Sequence, residues 1–174
     1  EAFHLTIGEY AFSNCQELTS INLTENVTRI DAYVFSGCRK LENLLLPDSV
    51  TSLGYSFIRG TGIKSVTIPK NVVSCPSYYY NSSYYYGPLA DSSVKEVIFA
   101  EGMKNIPAYM CSFRNSSGTS MIERIVIPES VEAIGGYAFY GCKYLGEVDI
   151  PKNVSVIDTY AFAGCTNLER VALN

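Results

Sequence analysis

The chain has 174 residues, of which 47% are hydrophobic and 17% charged, and this length allows one or two domains with a substantial core. Its formal net charge of −4 and the lack of any lysine or arginine run argue against nucleic-acid binding and against an anionic membrane surface. No apolar run approaches the roughly 18 to 20 residues that span a bilayer, so we expect no membrane insertion within this chain.

A template of about 23 residues recurs along the chain and is its strongest signal. IGEYAFSNCQELTSINLTENVTR, from Ile7, aligns with IDAYVFSGCRKLENLLLPDSVTS, from Ile30, and the template returns from Ile134 and Ile157. Each copy begins at an isoleucine position, and its tyrosine, phenylalanine and cysteine positions follow three, five and eight residues later. Seven coils are counted in this way, and they start at residues 7, 30, 53, 75, 106, 134 and 157.

Two apolar residues with one polar or exposed residue between them mark the predicted strand of each coil. The pairs are Ile21/Leu23, Leu44/Leu46, Val66/Ile68, Val97/Phe99, Ile125/Ile127, Val148/Ile150 and Val171/Leu173. Their starts are 23, 22, 31, 28, 23 and 23 residues apart, so coils four and five carry insertions. Because one coil cannot bury its own apolar face, the pattern predicts a solenoid with a parallel β-sheet on one face and turns with 3₁₀-like segments behind.

Polar residues recur in the turn that follows each predicted strand. Asn26, Ser49, Asn71, Ser130 and Asn153 occupy this position. Their side chains are able to hydrogen-bond turn backbone. Stacked along the solenoid axis, they predict an inward-facing polar ladder.

The strand pattern L-x-x-V-x-I, together with I-G-x-x-A-F-x-x-C-x-x-L, resembles the BspA-type leucine-rich repeat over essentially the whole chain. Coils one, two, six and seven match closely, and coils three, four and five depart from the pattern. The resemblance implies a leucine-rich-repeat solenoid and a secreted or cell-surface protein, often linked to adhesion or to binding of host proteins. The chain starts within a coil and ends after a strand, which predicts either one domain over residues 1–174 of a longer protein or end-to-end self-association.

Six cysteines have two interpretations. Neighbouring coils bring Cys15 near Cys38 and Cys142 near Cys165, which allows disulfides. However, in-register residues about 4.8 Å apart are more widely spaced than the roughly 3.8 Å between the Cβ atoms of a disulfide. We therefore favour buried free thiols, since cysteine is among the most buried residue types.

Catalytic and metal-binding signatures are missing from the sequence. The single histidine, His4, lies near the first residue, and no nucleophile elbow, zinc-protease or phosphate-loop motif occurs. No CxxC pair or Cys/His cluster is present, so neither a zinc site nor another cofactor is expected. An enzyme is the least supported class of protein.

The open face of the predicted sheet offers one candidate binding surface. Leu45, Ile98 and Val126 lie between the paired apolar residues of their strands and form a modest apolar strip. The strip either contacts a partner or belongs to the apolar area that every protein exposes.

The two insertions offer a second candidate surface. Counting from the isoleucine positions places them at roughly residues 81–93 and 112–120, in the same segment of adjacent coils, so they are expected to emerge side by side. The resulting patch contains Tyr84, Tyr85, Tyr86, Phe113, Arg114 and Asn115. These include residue types that dominate binding energy at interfaces, but packing of the aromatic side chains on one another to close a longer loop explains the pattern equally well.

The tyrosine-rich stretch SYYYNSSYYYGP is divided by this register. Tyr78 falls at the tyrosine position of coil four, and Tyr79 and Tyr80 follow it in sequence. The register therefore predicts that this first run belongs to the regular coil and that only the second run, Tyr84–Tyr86, is inserted. The sequence thus favours a non-catalytic recognition module for a protein or glycan ligand of host origin. The alternative is a structural spacer that presents another domain.

Overall fold

The computed structural model describes residues 3–76, 78–80, 84–113 and 120–174. In these ranges the chain forms thirteen short strands and no helix. The strands are β1 (Leu5–Ile7), β2 (Val27–Ile30), β3 (Ser52–Leu53), β4 (Ser65–Ile68), β5 (Tyr78–Tyr80), β6 (Tyr84–Tyr86), β7 (Glu96–Phe99), β8 (Asn105–Ile106), β9 (Arg124–Val126), β10 (Ala133–Ile134), β11 (Glu147–Ile150), β12 (Val156–Ile157) and β13 (Arg170–Leu173).

Parallel strands from successive coils stack in two rows, which confirms the solenoid. The front row contains the sheet β4-β7-β9 and the pair β11-β13, and the second row, at the isoleucine positions, contains β1-β2-β3 and β8-β10-β12. Within the front row Val66 pairs with Val97, and Val97 pairs with Ile125. The alternation of exposed and buried residues along β4 and β11 directs every second side chain into the core.

The front sheet is less continuous than the sequence predicts. Residues 21–23 and 44–46 form no strand, and β9 and β11 lie beside each other without pairing. Ile21, Leu23 and Leu46 nevertheless pack against the core. These side chains are therefore buried by the alternation of apolar residues, without strand pairing. The same coils are joined by backbone pairing of β1, β2 and β3 in the second row.

The back of each coil is a series of tight turns. Ala11 N donates to Gly8 O, and this bond between residues three apart is of the 3₁₀ type that the sequence predicts. Left-handed residues such as Tyr10, with φ 59°, interrupt these turns, so no helix forms. Backbone bonds also join neighbouring coils here, as from Phe12 N to Val34 O at 3.0 Å.

The cysteines are free thiols, as expected, and all except Cys15 are at least partly buried. The thiol at the cysteine position donates to the carbonyl oxygen of the residue at the phenylalanine position one coil earlier. Cys38 Sγ lies 3.1 Å from Phe12 O, and Cys165 Sγ lies 3.2 Å from Phe139 O. These bonds satisfy the thiols inside the core and leave the coil spacing unchanged.

The polar ladder forms, but it lies on the surface. Asn71 Nδ2 donates to Asp48 O at 2.8 Å, and Asn153 Nδ2 donates to Glu129 O at 2.6 Å, both from one coil to the carbonyl of the coil before. Both asparagines are exposed, so the inward orientation expected from the sequence is wrong. The carbonyls that need a donor are in turns at the rim of the coil, where an amide reaches them from outside.

Candidate recognition surface

All six tyrosines of the tyrosine-rich stretch belong to the insertion of coil four. β5 and β6 pair as an antiparallel hairpin, with Tyr78 opposite Tyr86 and Tyr80 opposite Tyr84. The assignment of Tyr78–Tyr80 to the regular coil is therefore wrong. Two runs of a strongly β-favouring residue separated by three residues satisfy each other's backbone groups as a hairpin, and this pairing overrides the repeat register.

Hydrogen bonds locate the point where the coil resumes. Leu53 N donates to Ser74 O, so Cys75 holds the isoleucine position of coil four, as predicted. Ser92 N donates to Leu89 O in the manner of Cys38 and Phe35, which assigns Leu89 to the phenylalanine position. Gly87 consequently takes the tyrosine position, and the eleven residues 76–86 stand where a regular coil has two.

The second insertion leaves its coil at a different point. Ser120 Oγ accepts a hydrogen bond from Ile122 N just as Ser92 Oγ does from Val94 N, so Ser120 holds the cysteine position of coil five. Inserted residues 114–119, which include Arg114 and Asn115, lie outside the described part of the chain. The two insertions thus do not occupy the same segment of their coils.

The bases of the two insertions nevertheless touch, as expected. Tyr86 and Phe113 form an antiparallel bridge, and their rings meet edge to face with centroids 6.3 Å apart. Phe113 is only 4% exposed and Tyr86 is half-buried. Phe113 therefore packs against the base of the hairpin at Tyr86. The side chains of Tyr84 and Tyr85 lie outside the described part of the structure.

The hairpin is rooted in a crowded segment of backbone. Gly87 N donates to Ser112 O, and Gly87 O accepts from Ser56 N, so coil four is tied to both neighbours at this residue. A Cβ atom at Gly87 would lie 1.9 Å from Tyr109 O. The buried hydroxyls of Ser56 and Ser112 have no hydrogen-bond partner within the described residues. The root of the hairpin is thus fixed by backbone contacts.

The apolar strip lies on another face, along the front row. Ile98 on β7 pairs in register with Val126 on β9, and both are half-buried. Leu45 is 85% exposed, but Thr67 lies between it and Ile98. The ion pair from Arg124 to Glu96, at 2.6 Å, borders the strip. The three residues therefore form a small interrupted patch.

The residues at the tyrosine position, together with Tyr55, form two partly exposed rows on the turn side. The Tyr10 and Tyr33 rings stack with centroids 5.0 Å apart, and Tyr33 meets Tyr55 at 5.1 Å. Beyond the hairpin, Tyr137 contacts Tyr109 at 5.2 Å and Tyr160 at 5.1 Å. The recurrence of tyrosine was visible in the sequence, but its partial exposure was not.

The described residues hold no group of three or more histidine, cysteine, aspartate or glutamate side chains that could bind a metal ion. Within the same part of the chain, no helix has the length and hydrophobicity needed to cross a membrane. The surface chemistry centres instead on tyrosine rings, with scattered ion pairs between coils.

The stacked coils and their consensus define a leucine-rich-repeat protein. The chain belongs to the BspA-type leucine-rich repeat family, because the model of the BspA type leucine rich repeat region matches it in six copies over residues 5–121 and 113–174. The resemblance drawn from the sequence is thereby confirmed. No curated protein matches the chain.

Several solved bacterial structures are similar to the chain. A leucine-rich repeat protein from Bacteroides ovatus shares 30% identity, with a TM-score of 0.47 over 94% of this chain and 33% of that one. Another from Eubacterium ventriosum shares 21%, with a TM-score of 0.50 over 81% and 41%. A leucine rich cell surface protein from Faecalibacterium prausnitzii shares 18%, with a TM-score of 0.36 over 96% and 69%. The chain spans about a third to two fifths of the first two.

Proposed function

We propose that this chain is a non-catalytic recognition module, secreted or displayed at a cell surface, that binds a protein or glycan ligand. The observation that carries the proposal is the tyrosine hairpin formed by β5 and β6, which is inserted into coil four and is braced by the contact of Tyr86 with Phe113. Tyrosine contributes large contact area with little loss of conformational entropy, which suits a binding surface.

The rigid base of the hairpin supports this function. Gly87 bonds to coils three and five through its own N–H and C=O groups. Phe113 is buried against the base, so the hairpin starts from a fixed position. Preorganisation of this kind lowers the entropy that binding must overcome. A spacer that only separates two domains would need the regular coils alone.

The experiment is deletion of residues 77–85 in the 174-residue chain. This deletion leaves Cys75, Pro76, Tyr86 and Gly87 in sequence and restores the three-residue step from the isoleucine position to the tyrosine position. We expect the variant to fold, by circular dichroism, and to lose binding to those extracellular glycoproteins and glycans that the unmodified chain binds on an array.

The control is Leu45→Ser, on the front face and away from the hairpin. It is expected to bind as the unmodified chain does. Unchanged binding by the deletion variant, or selective loss in Leu45→Ser, contradicts the proposed site. A chain that binds nothing on the array favours the spacer.

End-to-end association of coils stays a prediction from the sequence. It is tested separately by light scattering across a range of chain concentrations, where a monomer mass at all concentrations contradicts it. Because the hairpin is inserted in coil four, the middle one of the seven coils, binding through it and association at the ends are expected to be independent.

A further inference from the structure

The turn segments of coils one, two, three, six and seven each contain two left-handed backbone positions, coils four and five each show one of them, and the two positions are occupied by very different residues. The position before the cysteine position holds Asn14, Gly37, Gly60, Asp91, Gly141 and Gly164, all with positive φ. These are the residue types that tolerate left-handed backbone. The tyrosine position holds Tyr10, Tyr33, Tyr109, Tyr137 and Tyr160, with φ between 56° and 63°.

A bulky side chain in this conformation costs free energy, so the backbone does not explain the five tyrosines. Ser56 adopts φ 52° at the same position, which shows that the coil accepts a small residue there. The recurring property is therefore the phenol ring and its hydroxyl group. Tyr10 and Tyr160, in the first and last coils, are 54% and 58% exposed, and the tyrosines between them are half-buried, so the rows are partly presented to solvent.

The rings repeat with the step of the solenoid. Their centroids follow one another at 5.0 to 5.2 Å within each row. Since this is close to the spacing of the stacked coils, the rows run along the solenoid axis. Identical groups at such a repeat match a linear polymer of identical units better than they match the irregular surface of a globular protein.

A shallow depression lies beside the first row, where the hairpin segment begins at Pro76. Its volume is about 170 Å³, and its lining includes Glu9, Arg29, Asp31 and Tyr55. Arg29 Nε already donates to Asp31 Oδ1. The remaining carboxylate oxygens and guanidinium N–H groups offer hydrogen bonds to a ring rich in hydroxyl groups, and the aromatic ring offers stacking for its C–H face. The carboxylates and the net charge of −4 oppose a polyanion.

We infer that the two tyrosine rows bind a neutral, linear β-linked polysaccharide that lies along the solenoid axis, with the depression at Glu9 and Asp31 as a subsite for one sugar unit. The extended β-linked chain advances per sugar by a distance similar to the coil step, so successive hydroxyl groups meet successive tyrosines. This goes beyond the proposed function, because the rows lie on either side of the hairpin and do not require it.

The test compares binding of soluble mixed-linkage β-glucan and of glucomannan by the 174-residue chain and by Tyr10→Phe/Tyr160→Phe. Phenylalanine keeps the ring, the stacking and the backbone strain, and removes only the hydroxyl group. We expect the unmodified chain and the double variant to melt at the same temperature. We expect the dissociation constant of the polysaccharide to rise about fivefold for each hydroxyl group removed. The chain lacks tryptophan, so intrinsic fluorescence reports tyrosines directly.

The matched control is Tyr144→Phe, which changes a tyrosine 47% exposed outside the rows and is expected to bind normally. Failure of the unmodified chain to bind either polysaccharide overturns the inference. So does equal binding by the double variant. The deletion of residues 77–85 separates the two proposals: the rows require that it retain polysaccharide binding, and loss of binding in that variant alone assigns the polysaccharide to the hairpin and overturns the inference.

Discussion

Coils two and six follow the 23-residue template, whereas coils four and five, between them, are longer and carry smaller residues at the core positions. Coil six has Phe139 and Cys142 at the phenylalanine and cysteine positions, and both are fully buried. Coil five has Cys111 and Ser120 there, and coil four has Leu89 and Ser92. The solenoid nevertheless continues through the enlarged coils.

The missing volume is supplied from the front row. Phe99 ends β7 at a position where the neighbouring β4 has Ile68. Its ring reaches past coil five to meet Phe139 of coil six edge to face, with centroids 5.9 Å apart. This contact is possible because Cys111, in the coil between them, is small. An enlarged coil therefore stays in the stack because a larger side chain on the front strand compensates for smaller side chains at the phenylalanine and cysteine positions.

The largest expected effect is on Phe99→Ala, which removes this exchange. Phe99 is 2% exposed, and the cavity left by a buried phenylalanine costs about 3–5 kcal/mol of unfolding free energy. Urea unfolding followed by circular dichroism measures the loss. In the regular coil, Ile150→Ala is the matched truncation on the same row, and we expect a loss of about 2–5 kcal/mol. A loss below 1 kcal/mol for Phe99→Ala contradicts the compensation.

A second comparison concerns the tyrosine position itself. The regular coils hold a full tyrosine ring there, but coil four holds Gly87, whose Cβ would meet Tyr109 O at 1.9 Å. We expect Gly87→Ala to cost about 2–3 kcal/mol, since the obstacle is backbone that must move. Gly146→Ala is the control, because nothing lies within 4 Å of its Cβ, and a change within about 0.5 kcal/mol is expected.

Equal melting temperatures for Gly87→Ala and Gly146→Ala would contradict this account of the hairpin root. The comparison also tests whether the hairpin depends on this contact. A Gly87→Ala chain that folds but loses the proposed ligand shows that the position of the hairpin, and not only its presence, matters for binding.

The regular coils could be predicted from the sequence because burial repeats every 23 residues and each position has one physical role. Cys75 was assigned correctly to the isoleucine position on this basis, and Cys111 holds the phenylalanine position five residues after Ile106. The register failed at Tyr78–Tyr80, where local hairpin pairing competes with the repeat and neither preference is visible in the spacing. Counting from the isoleucine position also could not reveal that the chain returns to the template at Gly87.

The candidate site was predicted only in part. The adjacency of the insertions followed from coil order, and it is realised by Tyr86 and Phe113. The burial of Phe113 was not foreseeable, because it holds a position that elsewhere is glycine, asparagine or aspartate. The tyrosine rows were not predicted as a candidate surface. A residue that recurs at one position of the coil suggests a structural role, and neither backbone angles nor exposure can be seen in the sequence.

Buried cysteines, in the enlarged coils and in the regular coils, make the stability of the folded chain depend on pH. Unfolded thiols ionise near a pKa of about 8.5. Burial raises the pKa of Cys75, in coil four, to about 12, and burial also raises the pKa of Cys111 and Cys142. Between these values the folded chain keeps protons that the unfolded chain has lost. The free energy of unfolding therefore falls above pH 9 by about 1.4 kcal/mol per pH unit for each such thiol.

Melting temperatures at pH 8, 9 and 10 measure this loss. Cys75→Val replaces one thiol of coil four by an apolar residue suited to the isoleucine position, so its melting temperature should fall less steeply with pH. A melting temperature that stays constant to pH 10, or a Cys75→Val slope equal to that of the unmodified chain, contradicts the expected role of the buried thiols.

The smallest effect concerns the contact that joins the two enlarged coils. The edge-to-face pair of Tyr86 and Phe113 predicts a coupling of about 0.5–1.5 kcal/mol in a double-mutant cycle of Tyr86→Ala and Phe113→Ala. Urea unfolding of the four chains measures it. A coupling near zero would mean that the bases of the insertions are held independently, and the hairpin would then owe its position to the Gly87 backbone alone. A positive coupling makes coils four and five one unit, so the binding loss expected on removing the hairpin should be reproduced in part by Phe113→Ala, although Phe113 itself is buried beneath the surface.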